Sequence, residues 1–170
     1  RALACNWEMK ELWTLENTEP VAGVPDTVDR YEVSAKVYEK IAYRDSTEDV
    51  VAVFYRPDGS FASRSKVLEA ASRIVVVEGI EKPGNLGAIM RTALAAGAGA
   101  IVLADPALDP FGPNVVRNAT GALFELPIFM GSRDQVQQWL NASGFTGYIT
   151  HMHEDAVSLS SVFGHVCMRV

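Results

Sequence analysis

The stretch that most constrains the fold runs from Ile74 to Ala96, where a β-branched apolar run meets a Pro-Gly loop and then a glycine-bearing helix. Ile74, Val75, Val76 and Val77 are continuous and apolar, the pattern of a short strand buried on both faces of a parallel sheet. Gly84 to Ala96 then carries helical periodicity. At about 100° per residue, Leu86, Ile89, Met90, Ala93 and Ala96 share one side, and Gly84, Gly87, Ala88, Arg91 and Ala95 share the other. That second side is nearly bare around one guanidinium. Glycine in an exposed helix costs up to about 1 kcal/mol relative to alanine, so two glycines aligned with Arg91 imply that something approaches the backbone closely there.

The neighbouring patterns extend this unit. Strands are expected at Ile101 to Ala104 and Phe145 to Thr150, with helices at Ser65 to Ser72 and Arg133 to Ala142. Alternation of strand and helix predicts an α/β fold with ligands at the carboxyl ends of the strands. Arg56 to Ser65 is polar and rich in turn residues, which divides the chain into an N-terminal unit, 1–58, a linker, 59–71, and a second unit, 72–170.

Two phosphate-loop patterns fail at the junction. Gly79, Gly84 and Gly87 have the wrong spacing for G-x-G-x-x-G; Gly79 and Gly84 fit G-x-x-x-x-G, but Asn85 and Leu86 stand where that loop needs Lys and Ser/Thr. The net charge of -6 is also unexpected for a nucleic-acid partner, whose phosphates must be met by local cations. Lys82, Arg91 and Arg117 are available near the junction; for Arg64, Lys66 and Arg73 a solvated surface position is the favoured reading.

Glu78, Pro83, Asn85, Gly87, Arg91 and Thr92 resemble the first signature of the SpoU (TrmH-like) branch of the SPOUT RNA methyltransferases. A second segment, Asn114, Arg117, Thr120, Gly121, Ala122, Leu123 and Phe124 followed by Leu126-Pro127, resembles another element of that family, although Asn118-Ala119 stands where Ala-Ser often follows the arginine. The resemblance covers about residues 72 to 155. It implies a SPOUT-type Rossmann-like parallel sheet with an α/β knot, preceded by a small N-terminal α/β RNA-binding domain whose later portion residues 1 to 55 resemble, with a strand near Met9 to Leu15, a helix near Ser34 to Ala42 and a strand at Val50 to Tyr55. It further implies an RNA 2′-O-ribose methyltransferase that uses S-adenosyl-L-methionine, works as a homodimer and favours ribosomal over transfer RNA. The family's downstream G-x-E-x-x-G and S-L-N-V-S-type segments do not occur before Val170, so the knot-forming C-terminal segment is expected to lie outside this chain. A non-catalytic RNA-binding protein, or an inactive remnant without the cofactor pocket, is the alternative.

By the same resemblance Arg91 and Asn85 are candidate catalytic residues, Thr150 a cofactor-binding residue, and Arg117, Asn118, Thr120 and Lys82 RNA-binding residues. Arg91 suits stabilisation of a developing alkoxide better than proton removal, because guanidinium stays protonated. Each residue also has a plain structural reading. Asn85 is a candidate helix N-cap, Glu78 could orient the loop or pair with Arg91, and Arg117 could pair with Glu125 or Asp109. His151, His153 and Asp155 supply three possible ligands without a fourth group, so no metal is expected. Cys5 and Cys167 cannot form a disulfide framework, and no leader or membrane-spanning apolar run is visible, so a cytoplasmic location is expected.

Overall fold

The structure, a computed structural model, describes residues 2–42, 49–60, 65–150, 154–158 and 161. The elements in chain order are β1 (Met9–Leu15), β2 (Asp29–Val33), α1 (Ala35–Ile41), β3 (Val50–Phe54), α2 (Ser65–Ala70), β4 (Ile74–Glu78), α3 (Pro83–Ala95), β5 (Ala100–Ala104), α4 (Pro113–Ala119), α5 (Ala122–Glu125), β6 (Ile128–Gly131) and α6 (Arg133–Ser143). A turn of 3₁₀ helix, Leu3–Cys5, precedes β1.

The strands form two three-stranded sheets, ordered β2-β1-β3 and β4-β5-β6. The second is parallel throughout, with Val75 beside Ile101 and Ile101 beside Ile128. Its middle strand β5 is buried at all five positions. Because side chains alternate along a strand, Ile101 and Leu103 enter one core while Ala100, Val102 and Ala104 enter another. The first core also holds Leu86, Met90 and Ala93 of α3, Val115 of α4 and Leu123 of α5; the second holds Leu68 of α2 and Val136 of α6. Helices therefore cover both faces of a parallel sheet, the α/β arrangement expected from the alternation.

Two expectations are corrected. The strand buried on both faces is β5 rather than Ile74 to Val77, since β4 lies at the edge of the described sheet and Val76 is 40% exposed. The third strand is Ile128–Gly131 rather than Phe145 to Thr150. Residues 145–150 have strand-forming side chains but pair with no described strand, and Ile149 is 91% exposed. Strand propensity without a partner does not make a strand.

The first sheet pairs β1 with β2 in parallel and with β3 antiparallel, over a small core of Met9, Leu12 and Val28. Aromatic contacts join it to the second sheet. Trp7 packs edge-on against Phe124 with centroids 5.0 Å apart and donates its indole N–H to the Phe124 carbonyl at 3.1 Å, while Phe54 lies 6.3 Å from the same ring. Between the sheets, Ser60 forms a parallel bridge with Met130, and the Met130 N–H donates to the Gly59 carbonyl at 2.7 Å. A Cβ on Gly59 would stand 2.9 Å from the Ile128 carbonyl oxygen, so this close approach requires glycine.

Candidate active site

The junction between β4 and α3 is shaped by Pro83. Proline has no N–H to leave unsatisfied and a φ already suited to helix, so it occupies the first helical position with Lys82 as N-cap. Asn85 consequently falls in the first turn, three residues past the cap, and is not the N-cap. Its side chain is exposed, beside a helix start whose backbone N–H groups and dipole favour negative charge.

The approach to the glycine side comes from the chain itself. A Cβ on Gly87 would lie 2.5 Å from Asn118 Cβ, 2.6 Å from Asn118 C and 2.9 Å from Ala119 N. Gly87 is buried because the last turn of α4 rests on it. Gly84, one turn earlier, would meet only Asn118 Oδ1 at 3.9 Å. Asn118 is thereby fixed over α3, and its Nδ2 donates to the Asn114 carbonyl at 2.6 Å. Its own carbonyl accepts a hydrogen bond from Arg91 Nη1.

Arg91 is exposed, yet anchored at the carboxyl end of a helix, where unsatisfied carbonyls and the negative dipole end favour a cation. Such an interaction contributes about 0.3–1 kcal/mol at an exposed position. One corner of the planar guanidinium is occupied, and its fork retains further donors. Beyond Asn118 the chain turns through Thr120 at φ 45° and Gly121 at φ 93°, two left-handed residues that end α4 and start α5. The Thr120 N–H donates to the Arg117 carbonyl at 3.3 Å.

Other placements differ from expectation. Glu78 pairs with Arg133 Nε, not with Arg91; Glu78 ends β4 and Arg133 opens the helix after β6, so both stand at the carboxyl end of the parallel sheet. Arg117 is exposed and makes no ion pair with a described residue; Asp109 is instead 3.5 Å from Arg56, whose guanidinium also lies 4.5 Å over the Phe111 ring. Arg73 is exposed, as expected, and its Nη1 donates to the Ala96 carbonyl at 3.1 Å, at the end of α3. Arg64, the Lys66 side chain, His151 and His153 lie outside the described residues. Thus Lys82, Asn85, Arg91, Arg117, Asn118 and Thr120 are all exposed on α3, α4 and their ends. The sequence left one partner unseen: the carbonyl that holds Arg91, for which residue identity carries no signal.

Thr150 is also exposed, in the unpaired segment after α6. Cavities of about 300 and 370 Å³ are lined instead by Cys5, Trp7, Phe111, Phe124 and Arg56, between the two sheets. Neither includes Thr150, Asn85 or Arg91. An adenosyl cofactor needs a concave, largely apolar pocket. No described helix is long and apolar enough to cross a membrane.

Comparison with known proteins adds the family context. The chain is 27% identical over 148 residues to the 23S rRNA (guanosine(2553)-2′-O)-methyltransferase RlmP of Bacillus subtilis, covering 87% of this chain and 57% of that protein. It is 32% identical over 139 residues to the 23S rRNA (uridine(2479)-2′-O)-methyltransferase of Streptomyces viridochromogenes, covering 81% of this chain and 45% of that protein. Among solved structures, the rRNA methyltransferase from Sinorhizobium meliloti superposes with a TM-score of 0.70 at 32% identity, over 84% of this chain and 55% of the other. The chain therefore spans about half the length of these relatives. The fold is the SPOUT-type α/β fold seen in these structural neighbours. Residues 72–168, more than half of the chain, match the SpoU rRNA Methylase family, and the chain belongs to that family.

Proposed function

We propose that this chain is part of an RNA 2′-O-ribose methyltransferase acting on ribosomal RNA, with S-adenosyl-L-methionine as methyl donor. The observation that carries the reading is the seating of Arg91 on the Asn118 carbonyl, within the segment that matches the family. When bound, the cofactor supplies an electrophilic methyl group. The chain's own residues act on the nucleophile. A ribose hydroxyl acquires negative charge as it attacks, and a preorganised donor aimed at that oxygen lowers the barrier without reorganising. Arg91 is such a donor: α4 holds one edge of its fork, so the remaining N–H groups need not be ordered when substrate arrives. Asn85, with both donor and acceptor atoms, orients the ribose beside it.

Lys82, Arg117, Asn118 and Thr120 form the RNA-contacting rim in this reading. Lys82 and Arg117 neutralise phosphates, the usual source of nucleic-acid affinity. Asn118 offers its amide oxygen and one remaining N–H, since the other donates to the Asn114 carbonyl. Thr150 contacts the cofactor once a pocket is assembled around it. Residues 1–58 hold the RNA, 59–71 link, and 72–170 transfer the methyl group; the enzyme works as a cytoplasmic homodimer. Support for these finer points is the family resemblance, and sedimentation of the intact protein checks the dimer.

Methyl transfer from radiolabelled donor to rRNA, measured with the intact protein and its Arg91→Ala variant, tests the reading. Turnover should fall by about 10²–10³, the loss seen when a charge-stabilising donor is removed. Near-normal turnover would remove Arg91 from the mechanism. Rim variants that lose RNA binding in a protein without methyl transfer would instead support an RNA-binding role alone.

A further inference from the structure

The N-terminal sheet carries an aromatic stack that ends in the open. Trp13 stands on the central strand β1, and Tyr31 is its register partner on the edge strand β2. Their ring centroids are 4.3 Å apart and their planes within 24°, a stacked pair. The indole is held in place: its N–H donates to Glu11 Oε2 at 3.0 Å, and Glu11 Oε1 receives Lys10 Nζ at 2.8 Å. Tyr31 is 41% exposed, and among the described residues Trp13 is its only ring neighbour. Because β2 is the edge of the described sheet, no described strand lies against the ring face turned away from Trp13.

The surrounding charges narrow the kind of partner. Lys10 precedes Glu11 on β1, and Tyr55, just beyond β3, is 52% exposed. Glu11 already neutralises this lysine, and the edge strand carries Asp29 and Glu32 together with Arg30, whose Nη2 donates to the Val24 carbonyl at 2.9 Å. This surface of mixed charge makes no cationic strip for a phosphate backbone. What it offers is a flat, immobilised π-face, and unpaired bases are the RNA groups that stack on aromatic side chains. The platform is also fixed relative to Arg91's unit, since Phe54 and Trp7 of the same region pack on Phe124 of α5.

We propose that the Trp13–Tyr31 stack is a docking platform on which an unpaired base of the RNA substrate stacks against the outer face of Tyr31. The proposal rests on the RNA reading given above. It assigns base contact to the first sheet and phosphate contact to the rim of α3 and α4.

The test uses the intact protein, a short fluorescein-labelled oligoadenylate and an abasic strand of the same length, with binding followed by anisotropy. Tyr31→Ala should weaken oligoadenylate binding roughly five- to hundred-fold, the range for loss of one base–aromatic stack. It should leave the abasic strand unchanged, and Tyr31→Phe should bind both strands as the wild type does. Arg117→Ala should weaken both strands equally, because a phosphate contact ignores the base. Equal loss on both strands with Tyr31→Ala, or no loss, would overturn the platform while leaving RNA binding intact. A change in sedimenting mass without a change in RNA binding would make a second copy of the chain the occupant and overturn it too. Failure of the wild type to bind either strand would defeat the RNA reading together with the platform.

Discussion

Replacing Gly87 with alanine should destabilise the protein, against the usual preference of helices. An alanine gains up to about 1 kcal/mol over glycine in a helix interior. Here the new methyl would sit 2.5 Å from Asn118 Cβ, 2.6 Å from Asn118 C and 2.9 Å from Ala119 N. Carbon contacts are favourable near 3.5–4.0 Å, so α4 must retreat by about 1 Å. Two of the three offending atoms are backbone and cannot rotate away. Overpacking of this kind costs about 1–3 kcal/mol, and with contacts this short the upper half of that range applies, so that after a helix gain of up to about 1 kcal/mol a net loss of about 1–2 kcal/mol remains. For a domain of this size that lowers Tm by about 2–8 °C. Gly84→Ala is the matched control, because its methyl meets only Asn118 Oδ1 at an ordinary 3.9 Å. Urea denaturation followed by circular dichroism should therefore separate the two variants, with Gly84→Ala at or above wild-type stability. Equal stability of the two variants would refute the claim that α4 rests on Gly87. The same retreat draws the Asn118 carbonyl from Arg91, so Gly87→Ala should also lose methyl transfer under conditions where it remains folded.

Trp7→Phe should lower stability by about 1 kcal/mol in the same urea assay, because the Phe124 carbonyl loses its indole donor while an aromatic ring still fills the space. An unchanged midpoint would mean that the bond contributes nothing to joining the sheets. Glu11 is held below its ordinary value of 4.5 by hydrogen bonds from Lys10 and then Trp13. A carboxylate lowered on folding contributes stability above its unfolded pKa and loses it as pH falls through the folded one. Thermal melts of wild type and Glu11→Gln should thus differ most near neutral pH and converge in acid below about 4.5. Curves that stay parallel through that range would show that the Glu11 charge is uncoupled from folding.

Much of the junction is readable from residue types alone. Pro83, the β-branched run and the glycine spacing locate β4 and α3 to within a residue or two, because each acts through local backbone preference. The small-residue side of α3 likewise announces a close neighbour. Which neighbour arrives is a tertiary fact: Asn118 lies 27 residues from Arg91, and its contribution is a carbonyl that every residue possesses. Strand β2, Asp29–Val33, went unread because an edge strand with four exposed positions lacks the apolar alternation that marks a half-buried one. Strand β6 is only four residues long and follows directly on the second family segment, where its apolar run merges with Leu126-Pro127. Phe145 to Thr150 shows the opposite error, a good strand composition without a partner in the described sheet.

In the function proposed above, this chain belongs to an enzyme that methylates the ribose 2′-oxygen of ribosomal RNA. A 2′-O-methyl group removes the nucleophile required for alkaline cleavage of the adjacent phosphodiester. The intact protein should be incubated with unmodified rRNA and radiolabelled S-adenosyl-L-methionine, and the RNA then hydrolysed in alkali. The account predicts label in alkali-resistant dinucleotides; label confined to mononucleotides, as a base methylation would give, or no incorporation at all, would contradict it.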